Sequence, residues 1–231
     1  MLEAGEVEVA LAPVAAVIGR PGLRVVPGVC IGAEGPVSSV LLAAETPPEE
    51  WTAVRLDGVS RTSVVLAELL LRKGPLASRV RPDLAIVHVP AADGSSGAGG
   101  TVAALVIGDN ARTLDPRWTV RIDLAGQWTD WTGLPFVFAV WAARRTAPPG
   151  PVRAVHASLV ASRDWGLAHL DVLAEASARA SGVSVAACRE YFAGLDYAFT
   201  NTHLAGLTDF FRRLAADGLV PEGTLQFLQV A

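Results

Sequence analysis

The chain has 231 residues, 51% of them hydrophobic and 18% charged, with 19 Lys plus Arg against 23 Asp plus Glu and a formal charge of −4. That apolar share excludes disorder, whose signature is low hydrophobicity with high charge, and the length allows one large α/β domain or two lobes of about 100 residues each. A mildly acidic balance without any Lys/Arg cluster argues against nucleic acid as a partner, and Pro, Gly, Arg or Glu breaks every apolar stretch short of the roughly 18 residues that span a bilayer.

Residues 1–8 (MLEAGEVE) carry three glutamates and no basic n-region, the opposite of a secretory signal, so a cytoplasmic location is expected. Residues 7–14 (VEVALAPV), 23–26 and 36–42 (PVSSVLL) read as strands, being rich in β-branched and aliphatic residues. Residues 54–57 form another, leading through Gly58 into Ser60-Arg61-Thr62-Ser63 and the apolar run 64–71. That run is a helix by its signals: hydroxyls at the start to accept orphan amides, and Arg72, Lys73, Gly74 and Pro75 at the stop. Strands follow at 83–89 and 102–107, separated by Gly94-Ser95-Ser96-Gly97-Ala98-Gly99-Gly100, which is expected to be a mobile surface excursion. Residues 118–124 read as a strand followed by an aromatic turn, and 135–142 (PFVFAVWA) as a fully buried strand, since it is apolar throughout instead of alternating.

After the linker Ala147-Pro148-Pro149-Gly150-Pro151 the spacing turns helical, over 152–165, 168–181, 185–195 and 204–216. The expected fold is therefore α/β, with a mostly parallel sheet covered on both faces and helices gathered at the C-terminus. Cys30 and Cys188 have no Cys or His at ligand spacing and read as buried apolar filler, and His88, His156, His169 and His203 fall at no metal spacing and receive no role.

Four stretches, in this order, resemble the chorismate dehydratase family of menaquinone biosynthesis by the futalosine route: 35–42 (GPVSSVLL), 60–66 (SRTSVVL), 105–111 (LVIGDNA) and 128–141 (WTDWTGLPFVFAVW). The last is the most specific. The resemblance implies a two-lobed clamp like the type II periplasmic binding proteins, with mixed, mostly parallel sheets, residues 1–42 plus 138–231 in one lobe and 43–137 in the other. It implies a carbon–oxygen hydro-lyase that removes water from chorismate to give 3-[(1-carboxyvinyl)oxy]benzoate, without redox or metal cofactor, drawing partly on the substrate's own carboxylate as base. Chorismate is then the small-molecule partner, and a homodimer is compatible. The alternatives are a divergent or non-catalytic clamp for a small carboxylate, and the related 1,4-dihydroxy-6-naphthoate synthase. Relatives usually begin with forty-odd further residues, containing a strand, an Asn-bearing loop and a helix, so an incomplete first lobe with an exposed sheet edge is expected. Many carry Glu where this chain has Ala15 or Ala16, and a basic residue is frequent where Ser38 stands.

The candidate site residues follow from both arguments. Ser60, Arg61, Thr62 and Ser63 lie at a strand-to-helix turn, where amides, hydroxyls and the helix dipole converge on an anion; capping of the helix is the plainer role. Gly108 and Asp109 follow a buried strand at the end where α/β sheets bind ligands, with Asp109 the candidate catalytic polar group and an Asx turn its alternative. Ser38 and Ser39, on the proposed crossing strand, offer hydroxyls, one of which must point inward because strand neighbours face opposite ways. Thr132 and Gly133 precede Phe136 and Phe138, an apolar wall for a ring or simply core, and core is preferred for Trp128, Trp131 and Trp141.

Overall fold

A computed structural model gives the fold and describes every residue except 1, 3, 59, 91–96, 221, 222, 230 and 231. Part of the glycine- and serine-rich excursion, 94–96, lies outside the described residues. The chain divides into two compact units, Met1–Ala33 with Phe136–Ala231, and Glu34–Pro135. The divisions fall at 33/34 and 135/136, earlier than the expected 42/43 and 137/138, so the segment 35–42 belongs wholly to the second unit.

The first unit contains an antiparallel sheet in the order β1-β8-β2, with β1 (Val9–Pro13), β2 (Leu23–Ala33) and β8 (Phe136–Arg144). β8 is central, and consecutive residues that face opposite ways are buried (Phe136 and Val137, Ala142 and Ala143), so both its faces are covered, which accounts for its apolar sequence. β1 is an edge strand, with Leu11 45% exposed. β2 extends beyond 23–26 because Pro27-Gly28 does not end it. Val25 pairs with Ala142 and Cys30 with Val140, so the intervening residues are taken up in an irregularity, with Gly28 at φ 79.

The helices α4 (Pro149–Ala168), α5 (Leu170–Ser181), α6 (Val185–Ala193) and α7 (Asn201–Ala216) follow. Within the proline-rich stretch at 147–151, Pro148 is the N-cap and Pro149-Gly150-Pro151 the first turn of α4, because a first-turn proline lacks only an amide that has no helical partner anyway. Val26, Val29 and Ala143 pack with Val152 of α4, while Phe136 meets Phe210 of α7 edge to face at 4.9 Å.

The second unit is a mixed sheet in the order β5-β4-β6-β3-β7, built from β3 (Val40–Ala44), β4 (Ala53–Asp57), β5 (Ala85–Val89), β6 (Val102–Ile107) and β7 (Val120–Asp123). Its helices are α1 (Arg61–Arg72), α2 (Asp109–Arg112) and α3 (Leu124–Thr132). Only β5-β4-β6 is parallel; β3 runs against both β6 and β7. The expected mostly parallel pairing is corrected accordingly. Parallel neighbours need a crossover, which α1 supplies between β4 and β5. Leu41, Ala43, Ala104 and Val106 join Ala111 and Trp118 on one face of the sheet, so Leu42 and Leu105 point to the other, where α1 and α3 lie.

The aromatic segment after β7 is helix α3, not a turn. Asp123 caps its start by accepting from Gly126 N at 3.0 Å, Gly133 ends it in the left-handed region at φ 68, and Trp128 is fully buried with Trp131 packed edge-on one turn later at 6.0 Å.

Candidate functional site

β4 and β6 run parallel and end on the same side of the sheet, where antiparallel β3 begins and β7 ends, with Val40 opposite Ile107 and Leu41 opposite Asp123. Most of the expected site residues gather at this rim. Gly108, at φ 63, donates its amide to the Ser39 carbonyl at 2.8 Å, which joins the start of β3 to the end of β6.

Ser38 and Ser39, expected on a strand, lie instead in the turn that precedes β3. Ser39 is 5% exposed and Ser38 is exposed, so one does face inward, through a turn and not through strand alternation. Ser38 is the one described non-glycine residue in the left-handed region, at φ 57. That conformation is costly for a residue with a Cβ and persists only when its surroundings enforce it. The enforcing group is Asp123: one carboxylate oxygen accepts from the amides of Val37 (2.9 Å) and Ser38 (2.6 Å), while the other caps α3. Sequence reading missed Asp123, although an Asp between a short strand and an apolar segment is an N-cap signal.

At the start of α1 the capping role of Ser60 is realised. Its hydroxyl accepts from Ser63 N at 3.3 Å and lies 2.8 Å from Ser63 Oγ. Thr62 and Ser63 are each 1% exposed, so among these four residues it is Ser60 and Arg61 that retain surface at the rim. The first-turn amides and the positive end of a twelve-residue helix point the same way.

Asp109 opens α2. Its carboxylate is 70% exposed and pairs with Arg112 at 3.3 Å, while its carbonyl accepts from Thr113 Oγ1 at 2.9 Å. Asp109 therefore presents an exposed, arginine-paired carboxylate at the rim and not a buried one. Thr132 and Gly133 do not join the rim. They end α3, nine residues from its capped start and so about 13 Å along the helix axis. Thr132 Oγ1 donates to the Trp128 carbonyl at 2.8 Å and accepts from Leu134 N at 3.2 Å.

Elsewhere, Phe136 is 1% exposed and packed on Phe138 at 4.7 Å, which makes it core. Cys30 and Cys188 are free and buried, and burial first, then the nearby Asp196 charge, push the Cys30 thiol up to about 12. His203 is buried, with its Nε2 3.1 Å from Asp196 Oδ2 and its Nδ1 2.7 Å from Thr200 Oγ1 at the start of α7. Among the described residues no three His, Cys, Asp or Glu gather as a metal site, and no helix is long and apolar enough to cross a membrane.

The fold is mixed α/β of the periplasmic-binding-protein type. A transporter protein of Parabacteroides distasonis superposes with a TM-score of 0.64 over 99% of this chain and 84% of its own, at 16% identity. A Candida albicans protein, described as exhibiting the generic periplasmic binding protein fold, does so at 0.63 over 96% and 77%, at 15% identity. In sequence, residues 1–216 match the model of the menaquinone biosynthesis family. The chorismate dehydratase of Thermus thermophilus is 33% identical over 215 residues, 84% of this chain and 74% of that protein. The chain belongs to the menaquinone biosynthesis family.

Proposed function

We propose that the protein is a chorismate dehydratase, a hydro-lyase that converts chorismate to 3-[(1-carboxyvinyl)oxy]benzoate. The observation that carries this reading is the 33% identity to a chorismate dehydratase across most of both chains. In the reaction one ring proton and the ring hydroxyl leave as water and the ring becomes aromatic, which supplies the driving force. The protein's task is then chiefly to orient the substrate and screen it from solvent.

The rim of the second unit supports that task. A substrate carboxylate would be met by the first-turn amides of α1, by Ser60 and by the exposed Arg61 cation, with the dipole of α1 adding to the attraction. Ser38, Ser39, Gly108 and Asp109 would offer neighbouring polar groups on the same rim, held in register by the Ser39–Gly108 hydrogen bond. Thr62 and Ser63 are expected to act through the geometry of the turn, given their burial. Thr132 and Gly133 stand at the far end of α3, away from this rim. Because Asp109 is exposed and paired with Arg112, the substrate's own carboxylate is the better candidate for taking the proton.

The test is incubation with chorismate and mass spectrometry of the product. Loss of one water from the substrate, weakened by Ser60→Ala and Arg61→Ala through a raised KM, is the expected result. Unchanged chorismate, with the protein folded and saturated by substrate, would refute the reaction. Chorismate-dependent thermal stabilisation without turnover would instead identify a carboxylate-binding clamp.

A further inference from the structure

The first unit carries two helices with few fully buried residues. Of the twenty residues of α4 only Val152 is buried, and of the twelve of α5 only Ala174. Where they meet, Trp165 is 51% exposed, Leu167 46% and Val172 54%. Beside them runs a groove of about 530 Å³ lined by Ala161, Ser162, Trp165, Gly166 and Leu173. We propose that this elbow is the surface through which two copies of the chain associate.

The side chain that matters most is held ready. The Trp165 indole stacks on His169, 4.4 Å between ring centres and 14° from parallel, and His169 Nδ1 lies 2.7 Å from the Trp165 carbonyl. A large aromatic fixed in one orientation loses little freedom on docking, which is why such residues dominate interface energetics. Next to this projection the surface is hollow, because Ala161, Ser162 and Gly166 are small. A Cβ on Gly166 would lie 3.4 Å from Leu173 Cδ1, so Leu173 of α5 packs close to α4 at this glycine. Knob and hole on one patch are what a two-fold interface requires, since each copy must offer both halves of the contact.

Charge selects the occupant. The ionised groups around the elbow are paired within the chain: Arg163 with Asp164 at 2.7 Å, Arg189 with Asp171 at 2.5 Å, and Arg179 with Glu175 at 3.8 Å. An anionic membrane needs an unpaired basic fringe, and a strongly charged protein needs the opposite sign. A copy of the same surface brings neither repulsion nor unmet charge. The helices are about 30 Å and about 18 Å long, giving a face of roughly 500 Å² in projection and more along the side-chain contours, against about 800 Å² per partner in a standard interface.

Sedimentation of the full chain, together with Trp165→Glu and Ala161→Arg, tests the proposal. The first removes the knob and the second fills the hole while leaving Trp165 in the sequence. The wild type is expected to sediment as two chains at micromolar concentration, and each variant to raise the dimer dissociation constant by about 100-fold or more, with melting temperatures within about 3 °C of wild type. If one variant melts early, the other decides. A wild type that stays a single chain up to hundreds of micromolar overturns the proposal, as does a dimer indifferent to both variants. So does a single chain that binds phosphatidylserine vesicles through Trp165.

Discussion

Asp123 holds three amides with one carboxylate, and its removal should be felt at both places it reaches. In Asp123→Ala the cap of α3 is lost, at about 1 kcal/mol. The buried Val37 amide, which now donates at 2.9 Å, is left without its acceptor, at about 1–3 kcal/mol. The exposed Ser38 amide turns to water at little cost, and Ser38 can relax from φ 57, returning about 1 kcal/mol of strain. The net loss is therefore about 2 kcal/mol, or roughly 4–8 °C of melting temperature in a chain of this size. Asp123→Ser separates the two roles, because a serine caps the helix but is too short to reach residues 37 and 38. It should lose about 1 kcal/mol less than the alanine variant. Urea unfolding followed by circular dichroism and by the summed emission of the six tryptophans measures both, and amide exchange at Val37 reads the loop directly. An alanine variant within 0.3 kcal/mol of wild type, on the ~1 kcal/mol scale of a cap, refutes the account. A serine variant equal to wild type refutes the part that concerns the loop.

Gly32→Ala should cost about 1–3 kcal/mol in the same unfolding assay, because the added Cβ would lie 2.9 Å from the Phe136 carbonyl oxygen and 3.2 Å from His203 Cδ2. At pH 8 neither cysteine should react with a thiol reagent until the protein unfolds, since Cys30 titrates at about 12 and both are buried; prompt labelling of the native protein would contradict this. Although burial opposes it, hydrogen bonds from Arg213 and Arg212 hold the Asp209 carboxyl below the usual carboxylate range. A carboxyl lowered in the folded state stabilises above its unfolded pKa of about 3.9 and ceases to do so as pH falls through the lower folded value. Asp209→Asn should thus lose about 0.5–1 kcal/mol at pH 7, a loss that shrinks as the pH falls below the unfolded value of about 3.9, measured by urea midpoints across pH.

Family membership leaves open which chemistry-bearing groups act, and here the rim is instructive. Ser60 and Ser63 both spend hydrogen bonds on starting their own helix. Such groups define a backbone cradle more than a set of free hydroxyls, consistent with a reaction in which orientation and not acid–base power is the protein's main contribution.

What the sequence determined by itself was local. α1 was legible in outline because the hydroxyls at 60–63 offer a cap, which Ser60 supplies, and the basic Arg72-Lys73 pair with Gly74 stops it; β6 was legible because an apolar run bounded by glycines has few other uses. Membership of the family was likewise carried by short contiguous motifs. Tertiary structure decided whatever depends on partners distant in sequence. The direction of β3 is set by strands sixty and eighty residues away, and nothing in VLLAA records whether its neighbours run with or against it. α3 was hidden because its Trp and Thr residues are weak helix formers, so the helix rests on its end signals and on burying Trp128. The left-handed Ser38, the feature that most distinguishes the rim, exists only because a carboxylate eighty-five residues further along meets its amide.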